Sequence, residues 1–150
     1  MLGPGPVLYA AKDNIMHILV AGGAGYIGSI LVPNLLEKNH RVTVLDRLYF
    51  GNSFRDRNDA SLEVVRGDIR TFDPAILRGV EAIVDLSGIS NDPSCALEPE
   101  LTHGVNVVGG KRLLELGRKA GVRRYVYSSS CSVYGHGEGM GLTETAGRNP

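Results

Sequence analysis

Ala21-Gly22-Gly23-Ala24-Gly25-Tyr26-Ile27-Gly28-Ser29 follows directly on the apolar run His17-Ile18-Leu19-Val20 and opens a helical pattern from Tyr26 to about Glu37. Gly22, Gly25 and Gly28 therefore fall at a strand-to-helix turn with G-x-x-G-x-x-G spacing. Glycine permits the tight bend there and lets backbone N–H groups come close to a pyrophosphate, while the positive end of the helix that follows favours such an anion. Glycine-rich turns are common, so the context carries the reading. A second strand pattern, Arg41-Val42-Thr43-Val44-Leu45, ends at Asp46, at the distance a dinucleotide-binding fingerprint requires.

Working outward from that turn, strands are expected at His17–Val20, Arg41–Leu45, Leu62–Arg66, Ala82–Leu86 and Arg124–Ser128. Each is short and aliphatic or β-branched, the pattern of strands buried on both faces. Helices are expected at Tyr26–Lys38, at Pro74–Leu77 as a short piece, and at Glu100–Ala120. The last repeats Leu101, Val105, Val108, Leu113, Leu116 and Ala120 near helical spacing and stops before Gly121. Pro33 falls inside the first helix and costs a hydrogen bond if it lies beyond the first turn. The alternation implies an α/β fold: a Rossmann-type, doubly wound parallel sheet of five strands in the order 3-2-1-4-5, with ligand above strands 1 and 4.

One domain is the natural count for 150 residues. Residues 1–15 are the exception. Gly3-Pro4-Gly5-Pro6 propagates neither helix nor strand, and the segment lacks the features of a secretory signal. It is expected to be a loose tail or upstream extension, with the folded domain spanning 16–150. Apolar residues make up 43% and charged residues 21%, with Lys+Arg and Asp+Glu both at 16. That balance gives no excess charge for nucleic acid or an anionic membrane, and no apolar run approaches transmembrane length. Cys95 and Cys131 lack metal-ligand spacing and are expected to be free thiols in a cytoplasmic protein. No metal site is expected.

Asp46 can accept hydrogen bonds from both adenosine ribose hydroxyls, and its charge would repel a 2′-phosphate, which favours NAD over NADP. Arg47 argues the other way, since a guanidinium can clamp that phosphate, and Asp46 could also be a plain turn residue. Gly67-Asp68-Ile69 ends the third strand beside the presumed adenine site, although Gly-Asp by itself is a turn signal. Leu86-Ser87-Gly88-Ile89 follows the fourth strand at the switch point, where small residues let backbone approach a cofactor or simply form a loop. Tyr125-Val126-Tyr127-Ser128-Ser129-Ser130-Cys131-Ser132-Val133-Tyr134-Gly135 runs a fifth strand into a serine cluster. It is either an ordinary polar loop or a set of hydroxyls that bind substrate oxygen. A nucleophilic role lacks support, because His17, His40, His103 and His136 stand in no activating motif.

Together these motifs resemble the extended short-chain dehydrogenase/reductase family, in its nucleotide-sugar epimerase and dehydratase branch. The resemblance runs from Met16 to the end, on Gly22–Gly28, Asp46, Asp68-Ile69, Val105-Asn106-Val107 and Ser128 to Gly135. It implies cofactor contacts at Gly22, Gly25, Tyr26, Ile27, Gly28, Asp46, Arg47, Asp68, Ile69, Leu86, Ser87, Gly88, Asn106 and Ser128. It further implies that Asn106 supports the site's geometry and that Ser130 is the catalytic serine, hydrogen-bonded to the reacting sugar oxygen. A nucleotide-sugar substrate follows, and a homodimer through the helix over Glu100–Ala120.

The chain departs from that family in three places. The family's Tyr-x-x-x-Lys pair should follow Ser130 by about 25 residues, past Pro150, because both groups must reach one substrate oxygen. None of Tyr9, Tyr26, Tyr49, Tyr125, Tyr127 or Tyr134 has a lysine four places on. These residues alone are therefore expected to bind cofactor without catalysing. Ser130-Cys131-Ser132 stands where 4,6-dehydratases read Thr-Asp-Glu, so epimerase or ketoreductase chemistry is favoured over dehydration. Asp85 stands where the family commonly has histidine. The alternatives are a non-catalytic NAD(P)-binding sensor or scaffold and a reductase of a non-sugar carbonyl.

Overall fold

The computed structural model describes residues 15–135 and 141–150, the side chain of Asp92 excepted, so all of the expected tail but Ile15 lies outside the described residues. Five strands form one parallel sheet: β1 (His17–Ala21), β2 (Arg41–Asp46), β3 (Leu62–Arg66), β4 (Ala82–Asp85) and β5 (Arg124–Tyr127). Their order is β3-β2-β1-β4-β5, as expected from the sequence. Val20 of β1 sits opposite Val44 of β2 and Val84 of β4, which brings the carboxyl ends of these strands level at one edge.

Side chains alternate across β1, and each face acquires its own core. Ile18 and Val20 pack with Val42, Val44, Val32 and Leu36, the last two from α1 (Tyr26–Glu37). Leu19 and Ala21 face the other way, onto Leu45, Leu77, Ile83 and Leu113. Burial on both faces, expected of all five strands, holds for β1, β2 and most of β4. β3 and β5 are edge strands with a neighbour on one side only, and they remain half exposed.

Pro33 lies in the second half of α1, and the helix runs through it unbroken. It ends where Asn39 takes a left-handed conformation (φ 62°) and its N–H donates to Leu36 O. Two helical expectations need correction. The segment Asn91-Asp92-Pro93, not read as a helix start, opens α2 (Asp92–Leu97), with Asn91 Oδ1 accepting from Ser94 N at 2.9 Å. The single helix expected over Glu100–Ala120 is α3 (Pro99–His103), a π-helical stretch at Gly104–Gly109, and α4 (Gly110–Lys119). Gly104, Gly109 and Gly110, with three valines between them, hold α geometry weakly. The wider turn carries Gly109 hard against Ile69: a Cβ there would lie 2.6 Å from Ile69 Cγ2.

Gly117 on α4 gives a sharp test of packing between α4 and the sheet, since an added Cβ would lie 2.7 Å from Ile83 Cδ1. Gly117→Ala is expected to destabilise by about 1–2 kcal/mol, because overpacking outweighs the gain in helix propensity of about 1 kcal/mol. Ile83→Val removes Cδ1, so in that background Gly117→Ala should become neutral or stabilising. Urea unfolding of the single and double variants measures both signs.

Candidate active site at the carboxyl edge of the sheet

At the end of β1 the chain turns through Gly22 in a left-handed conformation (φ 71°). A Cβ on Gly22 would lie 2.8 Å from Leu86 C, Leu86 O and Ser87 N, so the loop after β4 packs directly on this turn. Gly25 N donates to Gly22 O at 3.2 Å, and Gly25 caps α1 without a side-chain hydrogen bond. The first-turn N–H groups of α1 have no intrahelical acceptors, and their dipole points at the same edge. Gly28 makes the close approach possible: a Cβ there would lie 2.1 Å from Gly23 O. Tyr26 and Ile27 form the exposed lip of the turn. The close packing of α1 on the turn leaves its uncapped first-turn N–H donors open at this edge, an arrangement that fits a pyrophosphate.

Asp46, at the end of β2, is tied into this turn. Its Oδ2 accepts from Ala24 N at 3.0 Å and its Oδ1 from Leu48 N at 2.7 Å. Each oxygen keeps a second lone pair for a ribose hydroxyl. Two residues that the sequence did not single out complete the neighbourhood. Ser53 Oγ donates to Ala24 O at 2.8 Å, and Phe54 is buried in the core beneath, so the loop after β2 is docked on the glycine turn.

Beyond β3, Asp68 is the hub of an arginine cluster. Its Oδ2 accepts from Arg47 Nη1 at 2.8 Å and from Arg70 Nη2 at 2.7 Å, while Oδ1 accepts from Arg70 Nε at 3.0 Å. Arg47 also lies over the Tyr49 ring, 4.6 Å from its centroid. Both residues foreseen as ligand contacts thus already have partners in each other. Together with Leu48, Tyr49, Arg66 and Gly67 they line an open hollow of about 520 Å³ at this end of the sheet. Arg70 was missed, although it stands where an Asp side chain commonly captures the residue two places on. Ile69 beside it is buried against the π-helical stretch.

The hydrogen bonds from Arg70 hold the Asp68 carboxyl down to about 2, against the opposing effect of burial. With the folded pKa below the unfolded one, this contribution to stability is complete above about pH 4, shrinks below that, and is lost as the pH falls through about 2. Asp68→Asn is therefore expected to reduce stability at pH 7 by on the order of 1 kcal/mol, allowing for solvent screening of the arginines, with the difference shrinking as the pH falls from about 4 and gone only below about 2. Thermal unfolding across that range checks the sign.

The loop after β4 is held from two sides. Asn106, carried on the π-helical stretch, brackets Ile89: its Nδ2 donates to Ile89 O at 2.9 Å, and its Oδ1 accepts from Ile89 N at 2.8 Å. The amide also covers Gly88, where a Cβ would lie 3.4 Å from Oδ1. From below, the buried Asp85 accepts from Ser87 N and Ser87 Oγ and from the Tyr125 phenol. Tyr125 stands at the head of the serine segment with no lysine four places on, and nothing in the sequence marks its link to Asp85. Burial, and then its hydrogen bond to Asp85, hold its phenol well above the usual tyrosine pKa.

Ser128 follows β5, and its N–H donates to Asp85 O at 3.0 Å, so the serine segment starts beside the end of β4. Ser128, Ser129 and Ser130 are exposed at this edge. Ser130 caps the 3-10 turn Cys131–Tyr134: its Oγ accepts from Ser132 N at 3.1 Å and donates to Ser132 Oγ at 3.0 Å. Strand order thus collects the glycine turn, the loop after β4 and the serine segment along one edge, with Asp46 and Asp68 flanking them on the β2–β3 side. His17 is elsewhere, bonded through Nε2 to Thr43 Oγ1 on neighbouring strands, and His136 lies outside the described residues. Among the described residues there is no cluster of three metal-ligating side chains and no helix long and apolar enough to cross a membrane. Cys95 and Cys131 are free thiols.

Residues 18–150 match the model of the NAD dependent epimerase/dehydratase family. A UDP-glucose 4-epimerase of Streptomyces lividans is 37% identical over 137 residues, an overlap of 88% of this chain and 41% of that protein. Among solved structures, the UDP-N-acetylglucosamine 4-epimerase of Methanobrevibacter ruminantium M1, in complex with UDP-N-acetylmuramic acid, superposes with a TM-score of 0.83. It is 26% identical, over 91% of this chain and 44% of that one. The UDP-glucose 4-epimerase of Stenotrophomonas maltophila, with bound NAD and formylated UDP-arabinopyranose, superposes with a TM-score of 0.78 at 28% identity, over 89% and 43% of the two chains. The chain spans about two fifths of the length of the curated relatives it matches, 41% in the first case above.

Proposed function

Because the chain belongs to the NAD dependent epimerase/dehydratase family, we propose that it is the NAD-binding portion of a nucleotide-sugar epimerase-type oxidoreductase. The observation that carries this reading is the uncapped glycine turn of α1, tied to the Asp46 carboxylate on one side and packed on Leu86-Ser87 on the other. Bound NAD would supply the hydride acceptor and donor for a sugar hydroxyl. The N–H groups around Gly25–Gly28 hold the pyrophosphate, and Asp46 receives the adenosine ribose hydroxyls. Asp68 and Ile69 bound the adenine end, while Ser87 and Gly88 let the loop after β4 lie close to the ligand. Ser130 offers its hydroxyl to the sugar oxygen.

NAD in preference to NADP is supported by the position of Asp46, whose fixed negative charge opposes a 2′-phosphate. The Arg47 guanidinium is already engaged by Asp68 and Tyr49, which leaves it poorly placed to answer that charge. Exposed Val107, Val108 and Leu114 on the helical stretch after β4 support a homodimer, and a cytoplasmic location fits the two free thiols. Cys131 and Ser132 stand in place of the acidic pair of the dehydratases, which favours epimerase or ketoreductase chemistry over dehydration.

The test is to assay the protein that carries residues 16–150 with UDP-glucose and UDP-galactose, and with simple ketones in parallel. Interconversion of the two sugars supports the epimerase reading. Ketone reduction alone identifies a carbonyl reductase, and cofactor binding with no turnover identifies a binding module.

A further inference from the structure

We propose that Asp85 is a positioning residue for the cofactor, its buried carboxylate joining Tyr125 to Ser87 and so setting the loop after β4 against the glycine turn. This inference rests on the NAD-binding reading above. Asp85 is 1% exposed at the end of β4. Three donors converge on it: Ser87 N at 3.0 Å and Ser87 Oγ at 2.5 Å on Oδ1, and Tyr125 Oη at 2.6 Å on Oδ2. Among the described residues it takes part in no ion pair. Gly110 of α4 lies alongside, where an added Cβ would sit in ordinary contact with Oδ2 at 3.8 Å.

Stability alone does not account for such a group. A buried carboxylate without a cation costs several kcal/mol of desolvation, and well-packed apolar side chains at such sites are often neutral or better. What the carboxylate does supply is direction. It holds Ser87 by both its N–H and its hydroxyl, and the Leu86-Ser87 peptide is the backbone that leaves no room for a Cβ on Gly22. Its own carbonyl accepts from Ser128 N, where the serine segment begins. The side chain thus ties the loop after β4, packed on the glycine turn, to Tyr125 of β5. The Tyr125 phenol, held above its usual pKa by burial and by this bond, remains a donor throughout the physiological range.

The test uses Asp85→Asn, Tyr125→Phe and the double variant of the full chain, with NAD affinity by calorimetry, the emission spectrum of bound NADH, and Tm. Asp85→Asn keeps the shape but turns an amide group to Tyr125 or to Ser87, and it should weaken NAD binding about tenfold. Tyr125→Phe should weaken it about threefold, and the double variant should bind no more weakly than Asp85→Asn, because both act through one network. The bound NADH spectrum should shift in both single variants. Wild-type affinity and spectrum in both variants, with only Tm lowered, would make the network structural and overturn the inference. Should Asp85→Asn fail to fold, Tyr125→Phe decides alone, since it leaves the carboxylate two of its donors. A wild-type chain that does not bind NAD overturns the cofactor reading itself, and this inference with it.

Discussion

Gly28→Ala is expected to abolish measurable NAD binding and to lower stability by about 3 kcal/mol or more, beyond the usual range for a single added methyl group. The added Cβ would lie 2.1 Å from Gly23 O, 2.5 Å from Gly23 C and 2.6 Å from Gly23 Cα. All three are backbone atoms, so no side chain can rotate away, and relief requires α1 to move off the turn. Moving α1 displaces the first-turn N–H groups that the pyrophosphate needs. The expected loss of affinity is roughly a hundredfold or more. Gly147→Ala is the matched control, because a Cβ there meets nothing within 4 Å and should change neither property. Calorimetric titration and thermal unfolding of the two variants compare them directly.

Asp46→Ala is expected to have the second-largest effect, and of a different kind. It removes the acceptor for Ala24 N and Leu48 N, leaving two part-buried donors unsatisfied at a cost of about 1–3 kcal/mol. It also removes the carboxylate proposed to receive the ribose hydroxyls, so NAD affinity should fall by roughly 10- to 100-fold. The diagnostic feature is selectivity. The carboxylate no longer opposes a 2′-phosphate, so the ratio of NAD to NADP affinity should fall towards one. Titration of both nucleotides onto wild type and variant measures that ratio. An unchanged ratio would remove Asp46 from cofactor choice and leave it only its part in fixing the turn.

How much of this was legible beforehand follows from which signals are local. The glycine turn could be read because φ 71° at Gly22 and the contact at Gly28 demand glycine whatever lies around them. The sheet could be read because central parallel strands must be apolar on both faces, as His17–Ala21 and Arg41–Asp46 are. The π-helical stretch could not, since over six residues its spacing is hard to tell from that of an α-helix; only the glycines at 104, 109 and 110 hinted at it. Asp85 and Tyr125 were both plain in the sequence as residues, but nothing local joins positions 40 residues apart. Their link exists because β4 and β5 are neighbours in the sheet, a tertiary fact. For the same reason Arg47 and Asp68, foreseen separately as ligand contacts, were not foreseen as partners.

The most direct test of the central claim is titration of NAD onto the full chain by isothermal calorimetry, alongside NADP and the Gly28→Ala variant. The structure predicts saturable one-to-one binding of NAD, weaker binding of NADP, and no detectable heat from NAD with Gly28→Ala. Absence of NAD binding by the folded wild-type chain, or equal binding by Gly28→Ala, would contradict the assignment of the glycine turn as the cofactor site.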